Sequence, residues 1–435
     1  MHLKDYYKKN ISKFVSEVFA CDCGKSHSFT TGKIIFETNA INKMEEFLKD
    51  IVPPLASVLL ISDSKIYEKT NRAFEKKISR LGVRVKAHTF EKPPLASLES
   101  ISKVVIPENC MLVIGIGGGT MADIAKFIAH KKQIPGVFIL TSSNALGVLT
   151  PTSVLFNGGV EKEYRVTPFS AVMCDTNYLI SVPIQTVASS YGEIVSKSVS
   201  VFDYKVNSIL NIETFCNEIQ SVAYGIIDDT LRNVADGSDV IRLTENSLKL
   251  SGLCQLTDST KLISGGEVAT SHVAHVLMRY EERNARLKGE REILLARVVQ
   301  SLYQNFLASK KDFFSPPPDN NLRLECIEEF LGIPQTETIK HIRDILPEKK
   351  AKLMQYRLGE YSSELMAEAS LNTARLARGF KTYKRLYPDD GFSLNNFLDS
   401  GTITLSIGLA SDLKNGNSLL AYMKDMGLLD EYLLN

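Results

Sequence analysis

The sequence predicts a two-part fold, in which residues 1–185 form an α/β domain with a parallel, Rossmann-like sheet and residues 186–435 form an all-helical domain. Three observations predict it. Before residue 185, short β-branched runs alternate with helical patterns, and a glycine turn joins one of these runs to a helix. From residue 187 onward, apolar residues recur at helical spacing. Alternating strands and helices predict a mostly parallel sheet, whose ligands bind beyond the carboxyl ends of the strands.

Five apolar runs are the predicted strands of the first domain. Each is short and rich in valine, isoleucine, leucine or phenylalanine, as expected of strands that are buried on both faces. Helical patterns lie between them, chiefly residues 64–81 and 121–131. The predicted strands are residues 57–62, 83–90, 111–116, 136–140 and 171–175.

Long segments of helical period predict that the second domain consists of helices. Three prolines at residues 316–318 interrupt the pattern, because proline cannot continue a helix, and they predict a loop or a flap between helical subunits. The segment after residue 321 carries no motif that indicates chemistry. The predicted helical segments before the prolines are residues 187–206, 210–233, 240–262, 265–286 and 290–309.

The most informative segment for function is the turn between the third predicted strand and the following helix. Three glycines, Gly117, Gly118 and Gly119, end the apolar run, and the helical pattern begins again at Thr120. Glycines allow a ligand to approach the backbone closely, and the free N–H groups of a helix N-terminus attract a phosphate. The turn therefore predicts a nucleotide or sugar-phosphate site. The alternative is a tight turn whose glycines only relieve crowding.

Composition excludes some partners. The chain has 51 Lys and Arg against 50 Asp and Glu, so its net charge of +1 offers no reason to expect a nucleic acid or an anionic membrane. The sequence contains no apolar run of transmembrane length and no signal-peptide core at its start, so we expect a cytoplasmic protein. An odd number of scattered cysteines, seven in all, suits reduced thiols.

Two of these cysteines form a cluster with a histidine, namely Cys21, Cys23 and His27. A zinc knuckle usually has two residues between its cysteines and needs a fourth ligand. The spacing therefore favours a reduced N-terminal loop over a structural zinc site.

Three polar residues of the helical half are candidates for chemistry. His272 and His275 are three residues apart and so share one face of a helix, a spacing that suits either a metal or ordinary packing. Glu193 lies among small residues, where it is either a functional carboxylate or a solvated residue paired with Lys197 one turn on.

Together these motifs resemble a known superfamily, the iron-containing alcohol dehydrogenases and dehydroquinate synthases. The resemblance rests on Gly-Gly-Gly-Thr-x-x-Asp-x-Ala-Lys from Gly117, on Gly-Glu at Glu193, and on Ser-Gly-Gly-Glu-x4-His ending at His272. The resemblance covers about residues 20 to 310 and is strongest to the glycerol-1-phosphate dehydrogenase branch of the superfamily. Members of that branch also carry an early Cys-x-Cys-Gly-Lys-x-His like that from Cys21.

The resemblance implies a nicotinamide dinucleotide as cofactor. Its pyrophosphate would lie on the glycine turn and Thr120, and Asp123 would lie at the foot of the nicotinamide half. Asp63, at the end of the first predicted strand, would accept hydrogen bonds from the adenosine ribose and so favour NAD, although NADP is possible. Thr141 and Asn144, which follow the strand 136–140, would supply further cofactor contacts.

The resemblance also implies a divalent metal, which would be zinc, nickel or iron, held by Glu193, His272 and a second histidine. Lys288 stands where that second histidine is expected. An ammonium group has no lone pair and is repelled by a dication, so the metal site is incomplete. Two further departures from the branch are Leu146-Gly147, where it has Asp-Gly, and glutamate instead of aspartate at position 193.

Three functions follow from the resemblance. The first is an NAD(P)-dependent dehydrogenase of a small polyol or polyol phosphate, in which His275 is a substitute metal ligand. The second is a cyclase of a sugar phosphate that resembles dehydroquinate or inosose synthases. The third is a metal-independent or inactive relative in which Lys288 replaces the charge of the ion and pairs with Glu193. The candidate catalytic residues are Lys197, His275 and Lys288. The expected partner is a small polyol or sugar phosphate, not a nucleic acid or a membrane, and the family implies a homo-oligomer, namely a dimer.

Overall fold

The computed structural model describes residues 3, 8–15, 18–70, 72–92, 94–234, 239–284, 286–309, 319–339, 342, 344, 346–388, 398–413, 417–429 and 433. The predicted proline interruption at 316–318 lies outside these residues. The chain divides into two compact units. The first contains residues 1–157, 161–190 and 239–260, and the second contains residues 158–160, 191–238 and 261–435. The functional division at residue 185 stays a prediction.

The first unit is built on a six-stranded sheet, in which every pair of neighbouring strands is parallel. The order of its strands is β3-β10-β7-β6-β4-β5. Two small sheets accompany it, the antiparallel pair β1-β2 and the pair β8-β9. The strands are β1 (Val18–Ala20), β2 (Ser26–Ser28), β3 (Lys33–Glu37), β4 (Ser57–Asp63), β5 (Arg84–Phe90), β6 (Cys110–Gly117), β7 (Gly136–Leu140), β8 (Thr152–Asn157), β9 (Val160–Arg165) and β10 (Ala171–Asp175).

Most of the remaining regular structure of both units is α-helical. The helices of the described residues are α1 (Met44–Leu48), α2 (Ser64–Lys69), α3 (Ala73–Ser79), α4 (Leu98–Ser102), α5 (Gly119–Lys132), α6 (Thr176–Leu179), α7 (Ile184–Ile209), α8 (Asn217–Asn233), α9 (Val240–Thr257), α10 (Gly266–Tyr280), α11 (Lys288–Ala308), α12 (Asn320–Leu331), α13 (Gln335–Thr338), α14 (Glu348–Glu360), α15 (Ser362–Leu386), α16 (Ser400–Leu413) and α17 (Leu419–Asp425).

The predicted fold class is confirmed, since a parallel α/β unit precedes a helical region. The five predicted strands correspond to β4, β5, β6, β7 and β10. The predicted helix over 64–81 is two helices, α2 and α3, because Arg72 adopts a left-handed conformation with φ 54° at the start of α3. A left-handed residue ends the regular helical geometry, and hydrophobic periodicity alone does not reveal it.

The core of the first unit explains why its strands are apolar. Val58, Leu60 and Ile114 of the central strands are fully buried and pack with Met44 and Phe47 in one hydrophobic cluster. A strand covered on both sides has no polar face, so its sequence is a continuous apolar run.

The order of the strands reverses direction between β4 and β6. From β4 the chain moves outward to β5, and it then returns to β6 on the opposite side of β4. Ligands of open α/β sheets bind at such a reversal, beyond the carboxyl ends of the strands. β4 ends at Asp63 and β6 ends at Gly117, so both predicted cofactor positions lie at this edge.

Candidate functional site

The glycine turn of the first unit connects β6 directly to α5. Gly117 is the last residue of β6, Gly118 is the N-cap, and α5 begins at Gly119. Gly117 has φ +147°, and a Cβ atom on it would lie 2.7 Å from Cγ of Met121. A side chain at this position would be strained and would collide with α5. The first N–H groups of α5 have no carbonyl one turn earlier in the helix, which makes this end suitable for an anion.

The loop after β7 lies against the glycine turn. A Cβ atom on Gly118 would be 3.1 Å from Cβ of Ser142, and one on Gly119 would be 3.4 Å from Oδ1 of Asn144. The backbone N–H of Thr141 donates to the carbonyl of Gly117 at 3.0 Å. The predicted residues Gly117, Gly118, Gly119, Thr141 and Asn144 are therefore close together.

Thr141 supplies a further indication of a ligand. Its hydroxyl oxygen is buried and has no hydrogen-bond partner among the described residues. A buried hydroxyl without a partner is costly, and a bound polar group would satisfy it. The hydroxyl and the glycine cradle are both at the carboxyl edge of the sheet, so these residues fit the predicted dinucleotide.

Asp63 already has a structural role. Its carboxylate caps α2 by accepting a hydrogen bond from the N–H of Ile66 at 2.9 Å. The second carboxylate oxygen is not used by this cap, and the side chain is partly exposed. Contact with a ribose stays a prediction.

Asp123 and Lys126, both on α5, hold the segment that follows β7 against this helix. Asp123 accepts from the N–H of Val154 at 3.2 Å, and the ammonium group of Lys126 donates to the carbonyls of Gly147 and Thr150 at 2.8 and 3.0 Å. Burial lowers the pKa of Lys126 to about 8, and the charge of Asp123 opposes this shift. The contacts of both side chains are structural, and a contact between Asp123 and a nicotinamide ring stays a prediction.

In the second unit, α7 and α11 are close because of a glycine. A Cβ atom on Gly192 would lie 2.6 Å from the carbonyl oxygen of Gly289. No side chain fits such an approach, so glycine allows the neighbouring Glu193 and Lys288 to meet. The Gly-Glu pair of the sequence motif thus has a packing reason for its glycine.

Lys288 forms an ion pair with Glu193. The distance between Nζ of Lys288 and Oε1 of Glu193 is 2.9 Å, and Oε1 of Glu292 lies 3.6 Å from the same nitrogen. Glu193 and Glu292 are buried, whereas the side chain of Lys288 is 46% exposed. The ammonium group is held by two buried carboxylates and is still accessible from solvent.

Lys197 lies deeper than Lys288. Its ammonium group is 2.7 Å from Oε2 of Glu292 and 3.2 Å from Oε1 of Glu267, and all three side chains are fully buried. Ser196 donates to Glu292, and Ser200 donates to Glu267. These contacts give Lys197 a structural environment, and its catalytic role stays a prediction.

The result is a chain of alternating charges that we call the buried charge network: Glu193, Lys288, Glu292, Lys197 and Glu267. Burial raises the pKa of Glu267, and the nearby Lys197 opposes the shift. Each cation lies between carboxylates, as charges removed from water require.

Asp203 lies on α7 beyond this network and connects three elements. It accepts hydrogen bonds from the N–H groups of Gly266 and Leu419 and from the hydroxyl of Tyr303. Burial raises the pKa of Asp203 to about 8 in spite of the two N–H groups. Its contacts position the first residues of α10 and α17.

Three members of the site were missed from the sequence. Glu292 follows Lys288 by one helical turn, a spacing that could have indicated it. Glu267 belongs to the Ser-Gly-Gly-Glu motif but was not assigned a role, and Ser200 gave no signal of its own.

The predicted metal ligands do not form a complete set. His272 is buried on α10, and His275 follows it one turn later. Among the described residues, no group of three or more converging cysteine, histidine or carboxylate ligands includes Glu193, His272 or His275.

Comparisons with known proteins place these features in a family context. A family model described as iron-containing alcohol dehydrogenase matches residues 35–183. A glycerol-1-phosphate dehydrogenase from Nitrosopumilus maritimus, named with NAD(P)+, is 22% identical over 80% of this chain and 97% of that protein. One from Bacillus licheniformis is 26% identical over 71% of this chain and 77% of that protein.

Solved structures share the fold. The NADH-dependent butanol dehydrogenase A of Thermotoga maritima has a TM-score of 0.57 at 14% identity and covers 96% of this chain and 98% of its own. A 1,3-propanediol oxidoreductase has a TM-score of 0.56 at 16% identity and covers 92% and 97%. The resemblance to the iron-containing alcohol dehydrogenase superfamily, and to its glycerol-1-phosphate dehydrogenase branch, is confirmed.

Over the described residues, no helix is both long and apolar enough to span a membrane.

The similarity implies NAD(P) and a divalent metal, and the two can be tested against the residues present. The glycine turn and the hydroxyl of Thr141 fit the dinucleotide. The ion pair between Lys288 and Glu193 does not fit a metal, because an ammonium group occupies one carboxylate and supplies no lone pair.

Proposed function

We propose that this protein is an NAD(P)-dependent oxidoreductase that acts on a small polyol or polyol phosphate. The observation that carries the proposal is the cradle formed by the glycine turn, the start of α5 and the partnerless hydroxyl of Thr141. The names of the relatives above support the substrate class. Retained dinucleotide binding alone would fit an inactive relative, so activity needs a separate test.

The residues of the first unit hold the cofactor in this proposal. The backbone N–H groups of Gly119 and Thr120 donate hydrogen bonds to the pyrophosphate, and the glycines leave room for it. Thr141 and Asn144 make further polar contacts, and Asp63 accepts from a ribose hydroxyl. When bound, the nicotinamide supplies or accepts the hydride.

Lys288 acts on the reacting oxygen of the substrate. Its ammonium group is partly exposed and already fixed by Glu193 and Glu292, so little reorganisation is needed when it donates a hydrogen bond to that oxygen. In the reductive direction the hydride adds to the carbonyl carbon, and the ammonium group stabilises the negative charge that develops on the oxygen. The alkoxide then takes its proton from Lys288, which regains one from solvent, and oxidation of the alcohol runs the same steps in reverse. Lys197 holds Glu292 and is a positioning residue.

In this proposal Lys288 carries out the charge stabilisation for which related enzymes use a divalent ion. The donor set described above supports this reading, since Glu193 is bound to an ammonium group. The roles of His272 and His275 as metal ligands stay predictions. So do the preference for NAD over NADP and a dimeric state.

The function is tested by measuring NAD(P)H formation or consumption with polyols, hydroxyketones and their phosphates. We expect activity in the absence of added metal and no gain from zinc, nickel or iron. Lys288→Met should reduce kcat/KM by about 100-fold or more, and Lys288→Arg should retain part of the activity because it keeps the charge. Lys352→Met removes a lysine from an exposed pair with Glu348 and is the matched control.

Three results would contradict the proposal. Absolute dependence on an added divalent ion would refute the role of Lys288. Lack of turnover with the whole panel, despite dinucleotide binding, would favour an inactive relative. Release of a cyclised product without net NADH formation would favour the synthase hypothesis.

A further inference from the structure

Two cysteines and a histidine converge in the N-terminal hairpin of the first unit. Cys21 directly follows β1, Cys23 lies in the turn, and His27 is the central residue of β2. Gly24, with φ +80°, lets the chain reverse after Cys23, and its N–H donates to the carbonyl of Cys21 at 3.1 Å. The turn brings ligand atoms together that a straight strand would separate.

The distances suit a tetrahedral metal ion. The ligand atoms of Cys21, Cys23 and His27 lie within 4.8 Å of one another, and Sγ of Cys23 is 3.3 Å from Nε2 of His27. Zinc bound to sulfur and nitrogen at ordinary bond lengths separates two sulfurs by about 3.8 Å and a sulfur from a nitrogen by about 3.6 Å. Small side-chain adjustments would therefore complete the geometry.

The imidazole of His27 is already oriented for a metal. Its Nδ1 lies 2.7 Å from the carbonyl oxygen of Leu256, in α9 of the same unit. A carbonyl only accepts, so Nδ1 carries the proton and the lone pair of Nε2 points toward the sulfur of Cys23. Histidine ligands of metals usually have such a second partner.

We propose that Cys21, Cys23 and His27 bind a zinc ion. Two thiolates and an imidazole select zinc over magnesium or calcium, which prefer oxygen ligands. A fourth ligand, either water or a side chain outside the hairpin, completes the tetrahedron.

The ion would have a structural role. The segment after the hairpin is tied to α9, since the N–H groups of Thr30 and Thr31 both donate to Oε1 of Gln255 at 3.0 and 3.1 Å. Zinc would fix the hairpin itself, whose two three-residue strands are too short to be stable alone. This site is independent of the proposed function, because it shares no residue with the cofactor cradle or with the buried charge network.

The experiment uses the full chain purified in the presence of zinc and dialysed against metal-free buffer. Elemental analysis should find about one zinc per chain, and Cys23→Ser and His27→Ala should lose most of it. Cys326→Ser and His272→Ala are matched controls that should retain the metal. The His272 control also separates this site from the predicted metal site of the family.

Cobalt substitution identifies the ligands. The wild-type protein should show a thiolate-to-cobalt charge-transfer absorption with the visible bands of a tetrahedral ion. His27→Cys should retain the metal and intensify the charge-transfer absorption, because it adds a third thiolate, so this variant tests the proposal even if the other variants fold poorly. A metal-free wild type without that absorption, or equal zinc loss in the His272 control, would overturn the proposal.

Discussion

Replacement of Lys197 by methionine tests whether the buried charge network stabilises the second unit. The variant keeps a long, flexible side chain of similar reach but removes the cation. Lys197 is 2.7 Å from Glu292 and 3.2 Å from Glu267, with all three side chains fully buried. The variant therefore removes the cation paired with Glu267 and leaves Glu292 with the more distant ammonium group of Lys288, at 3.6 Å.

The size of the effect follows from this burial. Removing one partner of a buried ion pair costs about 3–5 kcal/mol, because the remaining charge stays desolvated. For a unit of roughly 200 residues, each kcal/mol lowers Tm by about 2–4 °C, so a decrease of about 6–20 °C is expected. Ser200 and Ser196 still donate to the two carboxylates, which favours the lower half of this range.

The pH dependence has a definite sign. Burial raises the pKa of Glu267 in the native protein, and the loss of Lys197 removes an interaction that lowers it. A carboxyl group whose pKa is raised on folding destabilises the protein above its unfolded pKa, and the penalty disappears as protonation becomes complete at lower pH. The difference between wild type and Lys197→Met should therefore be larger at pH 8 than at pH 5.

Calorimetry and urea unfolding at these two pH values measure the effect. Lys103→Met is the matched control, since its pair with Glu99 has the same 2.7 Å distance but side chains that are 64% and 78% exposed. Solvent screens such a pair, so Tm should not change measurably. Equal stability of the two variants, or a loss of stability in Lys197→Met that grows on acidification, would refute a stabilising role for Lys197.

Three further predictions concern ligands. Gly118→Asp should abolish NAD(H) binding in calorimetry, because the new carboxylate would occupy the phosphate cradle. Gly359→Asp is the control and should bind NAD(H) normally, because a Cβ atom on Gly359 meets no atom within 4 Å. Equal binding by both variants would contradict the proposed cradle. Asp63→Ser should preserve the cap of α2 but raise the affinity for NADP relative to that for NAD at least several-fold. An unchanged ratio of the two affinities would show that Asp63 does not contact the ribose. Lys288→His is made in the Cys23→Ser background so that zinc bound to the hairpin does not interfere. It should raise bound zinc after dialysis from well under one to about one ion per chain. A full equivalent of zinc already present in the Cys23→Ser background would refute the replacement of the metal by Lys288.

Much of the first unit could be predicted from the sequence because its signals are local. A strand buried on both faces has an apolar sequence, and a glycine turn between such a strand and a helix is visible in a short segment around Gly117. The small strands β1, β2, β3, β8 and β9 were missed, since they are short and partly exposed and show little periodicity. Sequence spacing does not show that β2 brings His27 back to Cys23, and only the structure places Nε2 of His27 3.3 Å from Sγ of Cys23.

The parallel α/β class, the position of the glycine turn and the replacement of an expected histidine by Lys288 could all be predicted from the sequence. These features depend on residue type and on neighbours within a few positions. The pairing of Lys288 with Glu193 was one of several alternatives until the structure showed it, and the burial of Lys197 between Glu267 and Glu292 was not predicted. Those carboxylates come from three helices that are distant in the chain. Their pairing depends on how closely the helices approach, as at Gly192, and side-chain packing in three dimensions determines that distance.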